Sequence, residues 1–408
     1  MSHTINHLLS ERWGKAYIVF TLYPERIKSV NNAGDSYNLN YNRFMLLLSV
    51  MYTLGIDTTF HSTGLSIVDK DNKVKFIKSI GIDFSNQNAD KFFSSHINNL
   101  VALFADIKKS LWDKIDLISV INEEGAFHSV PIGVTAACIS GQLKNKRVVG
   151  VNHEIAHLYS NWLLRENSQF KFPIVSLSIS GAHSAIFLIK DHKSIRKVIT
   201  ILWGGDKNDF SGITALFEIF CHQVGVKIPS AGMGGAILSN LAEKGKDINL
   251  PELDKIQMFY EKENVIIFGC KDVGQKICIK YKKELKKKSF QQDLALKFLN
   301  KIFGVLGEIL LKFAVSTNSK EMHLAGGASA NPIFRNILEK LASSSNLVFK
   351  APVKNDFCSD NAAMVAVRGK YKSIFSKGQN TIPIKPSQWY YKYYCENCLQ
   401  GYKSKYKL

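Results

Sequence analysis

The chain has 408 residues, 46% of them apolar and 21% charged, which excludes a mainly disordered chain, a collagen and a small disulfide scaffold. At about 150 residues per domain, this length predicts two or three domains. Lys and Arg number 53 against 34 Asp and Glu, a net charge of +19. That excess points either to a polyanionic partner, nucleic acid before an acidic membrane surface, or to the Lys-, Asn- and Ile-rich usage of an AT-rich genome. The cysteines number 7 and most stand alone in sequence, so a reducing, cytoplasmic setting fits better than a disulfide framework. Cys395 and Cys398 form a CxxC without the second pair a zinc knuckle needs. No stretch reaches the roughly 18–20 apolar residues of a membrane span, and Phe44–Ile56, the longest candidate, is interrupted by polar residues.

Residues 1–50 read as an N-terminal extension, and the regular pattern begins near Met51. Strands are predicted at Tyr52–Thr59, Gly64–Asp69 and Lys73–Ile80, then a helix at Ala89–Ser110, a strand at Ile115–Ile121, a helix at Ile132–Leu143 and a strand at Arg147–Val151. The pattern then restarts, with strands at Ile174–Ser180, Ser184–Ile189 and Ser194–Leu202. Helices follow at Gly212–Val224 and Gln291–Val315, then a strand at Met322–Ala325, a helix at Ala330–Leu341 and a strand at Asn346–Lys350. Each half reads as three strands, helix, strand, helix, strand. The boundaries are 51–170 and 171–368, with 369–408 as a basic aromatic tail. A duplicated α/β unit with small-residue hairpin turns is the layout of actin-like ATPases, in which two turns grip phosphates across a cleft. Two unrelated α/β domains are the plainer alternative.

Four segments carry chemistry. His153 and His157 are four apart, on one helical face, so both imidazoles can reach one ion; with Glu154 they also spell the HExxH of zinc proteases, and two satisfied core histidines would look the same. Ser180-Gly181-Ala182-His183-Ser184 is a strand-to-turn segment whose backbone N–H groups suit an anion, with Ser180 and His183 as candidate catalytic residues. In Leu324–Asn331 a strand ends in Gly326-Gly327, where a flat group can approach the backbone, and Asn331 offers an amide. Asp360 stands where a helix opens, as its N-cap or as a third ligand beside the two histidines.

In this order the segments resemble the TsaD family (Gcp/Kae) of tRNA threonylcarbamoyladenosine synthases, over roughly Leu54 to Arg368. Gly55-Ile56-Asp57-Thr58-Thr59 matches the GIETS-type opening, His153 and His157 the HxxxH helix, Ser180–Ser184 the SGGHT turn, Gly326–Asn331 (with Arg335) the GG(V/A)SAN segment, and Cys358–Met364 the C(T/S)DNAAM segment. The resemblance implies an actin-like ATPase (ASKHA) fold of two βββαβα-type subdomains around a central cleft. It implies a divalent metal, iron or zinc, on His153, His157 and Asp360. It implies a nucleotide ligand, threonylcarbamoyl-AMP or ATP, with the Ser180–Ser184 turn facing its phosphate and carbamoyl groups and Gly326, Gly327 and Asn331 its nucleoside. The partners implied are tRNA and further subunits of a threonylcarbamoylation complex, with no membrane. The reaction would move a threonylcarbamoyl group to the exocyclic amine of an adenosine beside the anticodon.

The chain departs from that family in places. Phe60-His61-Ser62-Thr63 replaces an acidic pair, Ala215 and Glu218 stand where the family has a Glu and a ribose-binding Asp, and Ile228–Met233 replaces a YPGGP turn. An O-carbamoyltransferase acting on another acceptor and a non-catalytic scaffold are the alternatives these departures leave open. The excess charge is concentrated: Lys280–Lys288 holds 6 Lys against 1 Glu, and Gly369–Leu408 holds 8 Lys and 7 Tyr with 1 Glu. Lys with interleaved aromatics suits phosphates and exposed bases, although a solvated face would explain the 280–288 run.

Overall fold

A computed structural model of the protein describes residues 52–59, 61–82, 89–126, 129–181, 183–203, 212–229 and 232–375. The N-terminal extension, Phe60, Ala182 and most of the tail lie outside the described residues. The first half opens on a meander of β1 (Tyr52–Thr58), β2 (Ser62–Val68) and β3 (Val74–Gly81). Then come α1 (Ala89–Ala105), a single turn α2 (Lys109–Trp112), β4 (Ile115–Glu123), α3 (Val130–Lys144) and β5 (Arg147–Asn152). The one helix expected to Ser110 is broken after Ala105, where Ile107 turns into the core. α3 carries a Pro in its first turn, where an N–H is not needed, and ends on Asn145 in the left-handed region.

A short α4 (His153–Leu158) leads to the second half. There β6 (Ile174–Ile179), β7 (Ser184–Ile189) and β8 (Ile195–Trp203) form another meander. It is followed by α5 (Ile213–Gln223), α6 (Gly234–Ala242), β9 (Gln257–Glu261), β10 (Asn264–Phe268), α7 (Cys270–Lys280), α8 (Lys288–Ser316), β11 (Glu321–Ala325), α9 (Pro332–Ser344), β12 (Val348–Lys350) and α10 (Ala362–Ser373).

The two sheets run β3-β2-β1-β4-β5 and β12-β11-β6-β7-β8-β10-β9. With β9 and β10 set aside, order and direction repeat: an antiparallel meander, then two strands parallel to its first member. The predicted duplication therefore holds at the level of topology. The sequence pattern missed α6, the β9–β10 hairpin, α7 and the full length of α10. The hairpin is an edge addition: β10 pairs with β8, and β9 is mostly exposed, so it lacks the buried run that marks the central strands.

Residues 362–368, grouped with the second half on sequence, belong to a helix that returns to the first sheet. α10 packs on β1, β2, β4 and β5. A Cβ on Gly55 would lie 2.0 Å from the Ala362 carbonyl oxygen, so only glycine lets β1 and α10 approach this closely. The helix also runs past the expected start of the tail at 369. Lys370 is 1% exposed, its ammonium donates to the Lys70 carbonyl and to Asn72, and burial pulls it down to about 8. Each half has its own apolar core, and a third cluster that includes Val68, Trp162, Phe187 and Val367 joins them.

Candidate functional site

α4 begins where Asn152, at the end of β5, caps it by accepting from the Ile155 N–H (3.1 Å). The four-residue spacing then puts the rings of His153 and His157 4.8 Å apart. Asp360 comes from the far end of the chain. It does not cap α10, as expected; that role falls to Asn361, whose Oδ1 accepts from the Met364 N–H (2.9 Å). One residue earlier, the Asp360 carboxylate is left to face the histidines, with Oδ1 3.6 Å from His153 Nε2 and 3.1 Å from His157 Nε2. One donor atom from each of the three side chains lies within 4.8 Å of the others.

His157 is 1% exposed, and neither ring nitrogen has a hydrogen-bond partner: the 3.1 Å approach to Asp360 is close but not directed as a hydrogen bond. A buried imidazole with two orphaned nitrogens beside a carboxylate fits a missing cation better than a satisfied core histidine. Burial pushes His153 down to about 4, outweighing the attraction of Asp360, so its imidazole is neutral at neutral pH, the form that ligates metals. Burial would raise Asp360, but the imidazoles of His153 and His157, with a further contribution from His61, hold it well below the usual carboxylate range.

A residue that the spacing arguments did not single out lies beside this cluster. Asp57, at the end of β1, is buried with both carboxylate oxygens unpartnered. Burial first, and the Asp360 carboxylate second, push its pKa well above the ordinary range. The available signal was an acidic residue at the end of an otherwise apolar strand. Glu154 is not placed as a protease general base. It is buried, ion-paired to Lys197 and 4.0 Å from His183 Nε2, and its helix has only 6 residues.

The Ser180–Ser184 turn closes the β6–β7 hairpin, with the Ser180 N–H donating to the His183 carbonyl (2.9 Å), so that N–H is not available to an anion. Ser180 and Gly181 face a cavity of about 680 Å³, while His183 points towards Glu154 and away from the lining residues. Burial pushes His183 below its ordinary value, so it too is neutral at neutral pH. Every residue lining the cavity comes from Ile179 onward. The first hairpin turn does not line it as the two-turn cleft predicted, and His61 instead lies near Asp360.

Gly326 and Gly327 meet different demands. A Cβ on Gly326 (φ +80°) would sit 2.2 Å from the Ile179 carbonyl oxygen, whereas nothing lies within 4 Å of one on Gly327, which opens to the cavity. Asn331 lines the cavity, but its amide is committed. Oδ1 caps α9 by accepting from Ile333 and Phe334, and Nδ2 donates to Ser239 Oγ (2.6 Å). Arg335 is likewise tied, to the carbonyls of Ser329 and Pro352 and to Cys358 Sγ. Glu218, expected at the ribose, is not among the lining residues; its carboxylate accepts from the Gly232 N–H beside the start of α6. The wall sequence reasoning missed is α6, which presents Ala236, Ser239, Asn240 and Glu243 to the cavity. Its small-residue GG start gave no helical signal.

The profile of one family, described as TsaD, tRNA N6-adenosine threonylcarbamoyltransferase, matches residues 84–367. A tRNA N6-adenosine threonylcarbamoyltransferase of Thermosipho africanus is 28% identical over 335 residues, 80% of this chain and 96% of that protein. One from Bacillus subtilis is 27% identical over 352 residues, 80% of this chain and 92% of its own length. Among solved structures, full-length HypF in a phosphate- and nucleotide-bound form superposes with a TM-score of 0.50 at 14% identity, over 81% of this chain and 47% of HypF. That likeness is one of fold, and with the repeated strand order it makes this an actin-like ATPase fold.

Proposed function

This chain belongs to the TsaD family of tRNA N6-adenosine threonylcarbamoyltransferases, and from that premise we propose that it transfers a threonylcarbamoyl group from its adenylate to the exocyclic amine of a tRNA adenosine next to the anticodon. The observation that carries the reading is the convergence of His153, His157 and Asp360, from segments some two hundred residues apart, beside a turn that opens on a nucleotide-sized cavity. His153, His157 and Asp360 would hold a divalent cation, iron or zinc. When bound, it would supply Lewis-acid polarisation of donor oxygens.

The chain's own residues do the rest. Gly181 and Ser180 present a polar lip to the donor's phosphate, Gly327 lets a planar group lie against the backbone, and neutral His183, steadied by Glu154 and Lys197, is positioned to take the proton released as the amine attacks. The reaction is proposed to take place in the cytoplasm with partner subunits. Among the described residues no helix is long and apolar enough to cross a membrane.

The test supplies purified protein with the adenylate, unmodified tRNA and the other subunits, and reads threonylcarbamoyladenosine by mass spectrometry. Wild type is expected to form it and to carry about one iron or zinc per chain. His153→Ala with His157→Ala should lose the metal and at least about 100-fold in rate. Nucleotide and metal binding without transfer to tRNA would count against this acceptor.

A further inference from the structure

With Glu218 turned to the Gly232 N–H and Arg335 held by three partners, the cavity keeps one charged side chain with no hydrogen-bond or ion-pair partner among the described residues, Glu243. It is reached by following α6 along the cavity wall: Ala236, Ser239, Asn240 and Glu243 fall at i, i+3, i+4 and i+7 and share one face. Ser239 is spent, since its hydroxyl donates to the Gly235 carbonyl (2.7 Å) and accepts from Asn331. Asn240 and Glu243 remain, both exposed.

Two further features set Glu243 apart. It is the C-cap of α6, and a carboxylate at that end opposes the helix dipole, so it does not stabilise the helix that carries it. Its position is also fixed. Two residues on, Gly245 lies so close to the first turns of α8 that a Cβ would be 2.3 Å from the Gln292 carbonyl oxygen, and the Lys246 N–H donates to Asp293 (2.6 Å). A rigidly placed, unpaired carboxylate on a cavity wall is a hydrogen-bond acceptor awaiting a donor.

We propose that Glu243 is the residue that reads the ribose of the bound adenylate, its two carboxylate oxygens accepting from the 2′- and 3′-hydroxyls of a cis-diol, with Asn240 beside it. The inference rests on the adenylate reading above. It gives that ligand a direction: phosphate at the Ser180–Gly181 lip, ribose at the end of α6. The carboxylate that the family pattern would put at residue 218 is replaced by one from the next helix. Charge-assisted hydrogen bonds of this kind are lost together when either the diol or the carboxylate is removed.

Calorimetric titration of the full chain with AMP and with 2′-deoxy-AMP at pH 7.5 tests this. Wild type is expected to prefer AMP by about tenfold, Glu243→Gln by about twofold or less, and Glu243→Asp by an intermediate factor, with melting temperatures unchanged. A preference equal in wild type and Glu243→Gln, or no preference in wild type, would overturn the ribose seat and leave the function standing. A wild type that binds no AMP would overturn both.

Discussion

Gly326 and Gly327 are adjacent in the chain and are expected to respond oppositely to the same substitution. At Gly326 a methyl group would meet the Ile179 carbonyl at 2.2 Å in a left-handed backbone, so Gly326→Ala should cost about 2–4 kcal/mol and lower the melting temperature clearly. At Gly327 there is open space, so Gly327→Ala should change stability by less than about 1 kcal/mol while weakening AMP binding, because its methyl enters the cavity. Thermal melts and AMP titrations on the two variants separate these effects. Sequence flagged the pair as a place where the backbone is approached, and that was correct. It could not say that one glycine admits a neighbouring strand and the other faces the cavity, because the neighbour of Gly326 lies about 150 residues earlier. Asn331 shows the same limit: its chemistry was legible, but the cap and the Ser239 contact that occupy it depend on α9 and α6 being in place.

At the scale of an element, α10 joins the candidate metal centre to the fold. Asn361 starts the helix, accepting from Met364 and donating to the carbonyls of Phe357 and Ser359, while Asp360 faces the histidines. The two neighbours should therefore separate stability from metal binding. Asn361→Ala is expected to cost about 1–2 kcal/mol through the lost cap, whereas Asp360→Asn should melt near the metal-free wild type and bind iron or zinc at least about tenfold more weakly. Chemical denaturation and metal analysis read the two outcomes. The C(T/S)DNAAM resemblance marked the segment, but a carboxylate next to a helix start reads equally as a cap. The one-residue offset that frees Asp360 is decided by the tertiary position of α10 on the first sheet. α6 was missed for a related reason: its stability comes from packing against α8, and its glycine-rich start has no intrinsic helical preference.

For the whole molecule, the excess charge that opened the sequence analysis is still the clearest pointer to a polyanion, but the structure moves its boundary. Residues 369–373 belong to α10 and hold buried Lys370 and Tyr371, so cutting at 369 would remove part of the core. The truncation that tests the basic aromatic tail is at 376. Removing 376–408 should weaken tRNA binding and flatten its dependence on salt by about 0.7–0.9 in log–log slope for each lost phosphate contact, with AMP and metal binding unchanged. Filter binding across a salt series reads this. The Lys282–Lys288 run is exposed around buried Leu285, as a solvated segment would be.

By itself the sequence determined the repeated strand order, the family and the identity of the three candidate ligands, because period-two burial, short turns and four-residue spacing are local properties of the chain. Only the tertiary structure decided which carboxylate faces the histidines, which glycine faces the cavity, that the last helix crosses back to the first sheet and that Glu218 is spent elsewhere. Each of these depends on what a distant segment brings alongside, and a side chain's neighbours across the fold are not written in its own part of the sequence.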